Sequence, residues 1–297
     1  MTASYYEEDY NRTVGDAKTH FLPGTQIEIV RSLSRRPPEH VLFDFDGTLS
    51  LVREGWMDVM APLMVEILAA TGTNEPPAEL DRLVREFIME LTGKQTIYQM
   101  IRLADEVRRR GGDPKEPAEY KDRYHQRLME RIAGRRERLR DGTVAPDEML
   151  VPGSRELLAE LRCRGVRLYL ASGTDEHYVI EEARLLGLDE FFGDHIHGAV
   201  DDVKAFSKAM VIERILRSNQ VPGERLLGFG DGYVEIQNIK AVGGTAVAVA
   251  SDEIRRSGKP DAWKRDRLIG AGADLVVPDF REHRRLLDYL WGDDHAV

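Results

Sequence analysis

Two aspartates one residue apart close an apolar run in Val41-Leu42-Phe43-Asp44-Phe45-Asp46-Gly47-Thr48. A strand that ends in carboxylates and a glycine turn delivers those acids past the sheet edge, and strand alternation puts Asp44 and Asp46 on the same side. Later segments carry polar groups at like places. Ser172-Gly173-Thr174-Asp175 follows one apolar run, Lys208 opens a helical pattern, and Gly230-Asp231-Gly232 follows another run with Glu235 one turn on. Asp44, Asp46, Asp231 and Glu235 are hard oxygen donors with no His or Cys among them. Such a set suits Mg²⁺, which takes one or two carboxylates, waters and substrate phosphate oxygens. Carboxylates crowded in one crevice repel unless a cation lies among them. A carboxylate also attacks phosphorus, forming an aspartyl-phosphate. The charge on a transferring phosphoryl group calls for a lysine and hydroxyl or backbone donors, the types that Ser172 and Lys208 supply. Each segment alone has a plainer reading: DxDG as an Asx-turn or helix cap, the lysine as solvated surface, GDG as a tight turn. Their order, each after its own strand, favours the chemical one.

Those positions require a sheet behind them. Apolar runs predict strands near 41–45, 166–171, 195–198, 225–229, 245–250 and 274–277, and helical periodicity fills 154–164, 175–186, 207–218, 233–242 and 281–291. Strands and helices in alternation specify an α/β fold, a Rossmann-like parallel sheet with helices on both faces. Ligands bind such sheets beyond the carboxyl ends of the strands, where the acids lie. Residues 51–148 read differently, as helices over 57–70, 77–91, 96–110 and 117–140 with no strand between them. The expected division is therefore an N-terminal extension over 1–38, an α/β core over 39–50 and 149–297, and an all-helical insertion over 51–148. The extension ends in the helix-breaking Arg35-Arg36-Pro37-Pro38 and packs on the domain or is partly disordered.

The 297 residues, 42% of them hydrophobic, suffice for a sizeable core. A formal net charge of -10 argues against a general nucleic-acid binder, which needs a basic surface. One cysteine, Cys163, excludes an intrachain disulfide and a thiolate zinc site and suits a reducing compartment; its helical setting reads as core filling. No apolar stretch reaches the length of a membrane span, and the acidic N-terminus lacks the features of a signal peptide. The expectation is a cytoplasmic protein.

The ordered residues resemble the haloacid dehalogenase superfamily of phosphohydrolases over about 39–291. The first motif, DxDGTL, is matched by Asp44-Phe45-Asp46-Gly47-Thr48-Leu49, the second by Ser172 in LYLASGT, the third by a lysine in FSKAMVIERIL, and the fourth by Gly230-Asp231 through Glu235 in FGDGYVEI. The resemblance implies Asp44 as nucleophile and Asp46 as general acid and then base. It implies Mg²⁺ on Asp44, the backbone carbonyl of Asp46 and Asp231, with Glu235 reaching it directly or through water, and a phosphate site from Ser172, Gly173 and Lys208. It further implies that the helical insertion is a cap selecting the leaving group. The chain departs from the family at Glu235, where Asp is commoner, and it offers Lys204 beside Lys208 for the third motif. Lys208 is preferred because it begins the amphipathic helix before Asp231.

Within the superfamily Asp46 disfavours dehalogenases and phosphonatases, and the absence of membrane spans disfavours pumps. Hydrolysis of a small phosphorylated metabolite, such as a sugar, polyol or carboxylate phosphate, is the expected activity. A phosphomutase and a non-catalytic sensor of a phosphorylated ligand are the alternatives. Arg53, Glu54, Trp56 and Lys94 are candidates to reach the leaving group, although Arg53 also reads as solvated and Trp56 as core. Thr174 and Asp175 read as a helix cap. Arg108-Arg109-Arg110 and Arg135-Arg136 read as exposed helix faces, and His195 with His197 lacks a third metal ligand.

Overall fold

The computed structural model describes residues 9–15, 18–33, 37–200, 202 and 205–293. Its centre is an eight-stranded sheet of order β1-β2-β8-β7-β6-β3-β4-β5. The strands are β1 (His20–Phe21), β2 (Glu28–Ile29), β3 (His40–Phe43), β4 (Arg167–Asp175), β5 (Ile196–Ala199), β6 (Leu226–Gly230), β7 (Thr245–Val249) and β8 (Leu275–Val277). All pairings from β8 to β5 are parallel. The parallel α/β core expected from the alternation of elements is thus present, with β3, every residue of which is buried, near the middle.

Alternation along the strands sorts their side chains onto two faces. Val41, Phe43, Leu227, Phe229, Val247 and Val249 face one way, against α5 (Ser154–Cys163) and α11 (His283–Trp291). The Phe43 and Phe229 rings stack there at 4.7 Å. Burying each such ring contributes about 1.5–3 kcal/mol. Leu42, Tyr169, Ala246 and Ala248 face the other way, against α8 (Lys208–Asn219), α9 (Tyr233–Ala241) and α10 (Ala262–Ala271). Gly228 lets α9 lie directly on the sheet, since a Cβ there would come 2.5 Å from Ile239 Cγ1.

Between β3 and β4 the chain forms α1 (Met57–Ala69), α2 (Pro77–Leu91), α3 (Thr96–Arg109) and α4 (Pro117–Arg140) before it reaches α5. The outgoing and returning segments run side by side. Leu51 N donates to Met149 O at 2.8 Å and Val151 N to Leu49 O at 2.9 Å. The apolar side chains of the four helices, among them Met64, Val84, Leu103 and Leu128, continue the cluster that begins on Phe43 and Phe45. No helix among the described residues is long and apolar enough to cross a membrane.

Four local details refine or correct the expectations. The extension supplies β1, antiparallel to β2, and β2, antiparallel to β8, and two-residue strands are too short to show alternation. Its residue Tyr10 packs edge-on against Tyr233 at 5.5 Å, so this segment is packed on the domain. Cys163 is exposed rather than core, because α5 buries Leu157, Leu158 and Leu161 and turns position 163 outward. The arginine runs are only partly surface: Arg110 pairs with Glu75 and Glu106 with 10% of its side chain exposed, and Arg136 is buried against Glu181. Helix α10 and the short α7 (Asp189–Phe192) add elements that the periodicity did not indicate.

Candidate active site

The register of the three central strands brings the acids together. Phe43 is level with Leu170 of β4 and Phe229 of β6, so Asp44, Ser172 and Asp231 emerge within a residue or two of one level at the carboxyl end of the sheet. They line one cleft of about 110 Å³ with Asp46, Gly47, Gly173, Thr174 and Lys208. Arg53, Glu54, Trp56, Lys94 and Tyr124, all from the helical unit or its entry, form the opposite wall.

Asp44 is buried, and its Oδ1 accepts from Lys208 Nζ at 2.8 Å. Lys208 stands at the start of α8, whose N-cap Ser207 accepts from Met210 N at 3.2 Å. The Lys208 ammonium is also ion-paired to Glu235, buried in the first turn of α9. Glu235 thus spends its carboxylate on the lysine. Lys204, the other candidate for that position, lies outside the described residues. Burial raises the Asp44 carboxyl to about 6; Lys208 opposes the rise, and the facing charge of Asp231 adds to it.

Asp46 has different neighbours. Its Oδ2 accepts from Thr174 Oγ1 at 2.9 Å and Ser172 Oγ at 3.4 Å, and its Oδ1 lies 3.7 Å from Arg53 Nε with no hydrogen bond. Burial in the cleft raises this carboxyl to about 7, with Arg53 opposing and Glu182 and Asp44 reinforcing the rise. Two acids from one turn therefore differ in counter-ion, while burial raises the proton affinity of both. Gly47 makes the turn possible. It sits at φ +73, and a Cβ there would lie 2.2 Å from Asp231 Oδ2.

Arg53 is neither solvated nor free for a ligand. Its Nε and Nη2 grip Glu182 of α6 (Glu176–Leu185) at 2.9–3.2 Å, with both side chains almost fully buried. Burial works against the charge of the guanidinium, but Glu182 and Asp46 outweigh it. Trp56 is half-buried; it lines the cleft and also packs on the apolar cluster. Lys94 is buried and donates to Asp9 Oδ1 at 2.8 Å. Its loop rests on two core glycines: a Cβ on Gly173 would meet Lys94 O at 3.1 Å, and one on Gly232 would meet Gly93 Cα at 2.8 Å. Asp175 makes no cap hydrogen bond and instead pairs with Lys121 and, at 3.4 Å, His125 of α4. Thr174 likewise serves Asp46 rather than a cap.

Three further residues escaped the sequence reading. Lys264 of α10 donates to Asp231 Oδ2 at 2.8 Å, Glu253 Oε1 at 2.6 Å and Ser251 Oγ at 3.1 Å, and Ser251 Oγ donates to Gly47 O at 2.7 Å. Applying the strand-end rule to β7 would have found Ser251 and Glu253; Lys264 had no such signal. Among the described residues no three His, Cys, Asp or Glu side chains are grouped as a ready-made metal cage. A Mg²⁺ site does not require one, since one or two carboxylates with carbonyl, water and phosphate oxygens suffice. Asp44 and Asp231, two carboxylates that line one cleft and repel each other, fit an oxygen-ligated cation.

Comparison with known proteins gives the same frame. Phosphoserine phosphatase of Archaeoglobus fulgidus is 22% identical over 264 residues, 84% of this chain, and this chain spans 64% of that protein's length. β-Phosphoglucomutase from Clostridium difficile matches with a TM-score of 0.56 and 13% identity over 85% of this chain and 97% of that one. CbbY from Rhodobacter sphaeroides, solved with phosphate, matches with a TM-score of 0.51 and 25% identity over 82% and 96% of the two chains. The model of the haloacid dehalogenase-like hydrolases matches residues 38–243, more than half of the sequence and all of the strand ends from Asp44 to Glu235, and the chain belongs to that family.

Proposed function

We propose that this protein is a Mg²⁺-dependent phosphomonoesterase that hydrolyses a small phosphorylated metabolite through an aspartyl-phosphate. The observation that carries the reading is the pair Asp44 and Asp46, which face one cleft with different partners, Asp44 on Lys208 and Asp46 on Thr174. In the first half-reaction the Asp44 carboxylate attacks phosphorus as the bond to the leaving oxygen breaks. Asp46, with a proton affinity near neutrality, gives that oxygen its proton. In the second, Asp46 takes a proton from water as the water oxygen attacks the same phosphorus. The bond to Asp44 breaks, and inorganic phosphate leaves. Ser172, the Gly173 backbone and Lys208 hold the phosphoryl oxygens, and Glu235 holds Lys208.

Asp44, the Asp46 carbonyl and Asp231 would hold Mg²⁺, which when bound neutralises charge on the phosphoryl oxygens. Residues 51–148 act as the cap. They line the cleft through Glu54, Trp56 and the loop carrying Lys94, and the small volume of the cleft suits a small leaving group. Membership of the family and the phosphatase name of the archaeal relative support hydrolysis. The single exposed cysteine supports a reducing, cytoplasmic setting. Purified protein is expected to release phosphate from p-nitrophenyl phosphate only with Mg²⁺, and a panel of phosphorylated metabolites then ranks substrates. Asp44→Asn is expected to abolish turnover; a variant that still turns over overturns the mechanism.

A further inference from the structure

Lys264, beside the cleft, contacts two of the acids that line it, Asp231 and Glu253. Its ammonium is held by three oxygens: Asp231 Oδ2 at 2.8 Å, Glu253 Oε1 at 2.6 Å and Ser251 Oγ at 3.1 Å. The side chain is 14% exposed. Its helix is anchored by Asp261, which accepts from Lys264 N at 2.8 Å. Asp231 and Glu253 line the cleft, and the hydroxyl that touches the ammonium also binds the carbonyl of Gly47, the residue after Asp46. The lysine is therefore built into the same loops that present the acids.

We infer that Lys264 is a positioning residue that acts as a resident counter-ion, competing with the divalent cation for Asp231 and so limiting how tightly that cation is held. The inference rests on the reading of Asp231 as a metal ligand. A fixed positive charge in contact with a ligand carboxylate lowers the affinity of that carboxylate for any second cation, most strongly where solvent screening is weak. Glu253 and Ser251 complete the device. They give the ammonium partners of its own, so that Asp231 is shared without leaving an unpaired buried charge, which would be costly.

The two substitutions that split this device have opposite signs. Mn²⁺, read directly by electron paramagnetic resonance, is the probe, with Mg²⁺ calorimetry alongside. Lys264→Met is expected to bind Mn²⁺ on the order of tenfold tighter while melting at a lower temperature in EDTA. Glu253→Gln, which leaves Asp231 as the only carboxylate on the ammonium and takes one negative charge from the cleft, is expected to bind it on the order of tenfold weaker. Lys264→Arg, which keeps the charge, is expected to stay close to the parent. Loss of affinity in both Lys264→Met and Glu253→Gln, or no change in either, overturns the inference; if Lys264→Met does not fold, Lys264→Gln, which keeps a hydrogen-bonding group beside Asp231 and Glu253, decides it by showing or failing to show the same tightening. Asp231→Asn separates this from the metal reading. Binding that survives Asp231→Asn overturns the metal reading, whereas binding lost there but unchanged in Lys264→Met and Glu253→Gln overturns only the role of Lys264.

Discussion

Replacing Asp46 by Asn sets stability against catalysis at a single atom. The Asp46 carboxyl is raised from 3.8 to about 7, chiefly by burial and next by the balance of Arg53, Glu182 and Asp44. A group bound more tightly to its proton in the folded state stabilises the fold at low pH, and that contribution is lost as the pH rises through the folded value. Between about pH 4 and 7 the wild-type protein therefore loses stability as the pH rises. At 1.36 kcal/mol per pH unit the full penalty is roughly 4 kcal/mol. The 27% exposure of the side chain makes this a ceiling. Asparagine carries no charge and can still accept from Thr174 Oγ1. Asp46→Asn is thus expected to be more stable than wild type above pH 7, by about 2–4 kcal/mol or several degrees in Tm, and equal to it near pH 4. Its kcat is expected to fall by about 10²–10⁴ for substrates with poor leaving groups. Thermal melts in EDTA at pH 4, 6 and 8, with phosphate release at pH 7, test both sides. A gain in stability that is absent at pH 8, or the same at pH 4 as at pH 8, refutes the reasoning.

The same carboxyls shape the rate profile: kcat/KM is expected to fall above about pH 7 as Asp46 loses its proton, and a profile flat from pH 6 to 9 contradicts its role as acid. The acid limb should lie below the metal-free Asp44 value of about 6, because a bound cation favours the ionised carboxylate. Glu182→Gln leaves the buried Arg53 guanidinium with Asp46 as its nearest acid. It is expected to cost about 3–5 kcal/mol in chemical denaturation and to move the basic limb to lower pH, a shift that mere loosening of the fold would not cause. Gly47→Ala meets both a left-handed backbone and the Asp231 carboxylate, whereas Gly165, also left-handed at φ +76, has nothing within 4 Å. Gly165→Ala should cost about 1–2 kcal/mol, and Gly47→Ala should cost more and lower activity; equal costs would mean that the contact with Asp231 does not matter.

Strand runs and helical periodicity made the core strands β3 to β8 legible, because burial on both faces demands apolar residues at nearly every strand position. The strand-end rule made Asp44, Asp46, Ser172 and Asp231 legible because acids and a hydroxyl recur at the ends of several strands of one sheet, and Lys208 stood out as the cation that opens the helix before Asp231. The short β1 and β2 were hidden, being set by pairing of β2 to β8 and of β1 to β2 rather than by their own pattern. What the sequence determined by itself was thus the sheet and the order of acids, hydroxyl and lysine along its edge. Tertiary structure alone decided how each charge is spent. Glu235 goes to Lys208, Glu182 to Arg53, Asp175 to α4 and Lys264 to Asp231. Each pair joins side chains at least 27 residues apart, on elements brought together only by packing on the sheet, and the partner of a buried charge is chosen by proximity in the fold rather than by spacing along the chain.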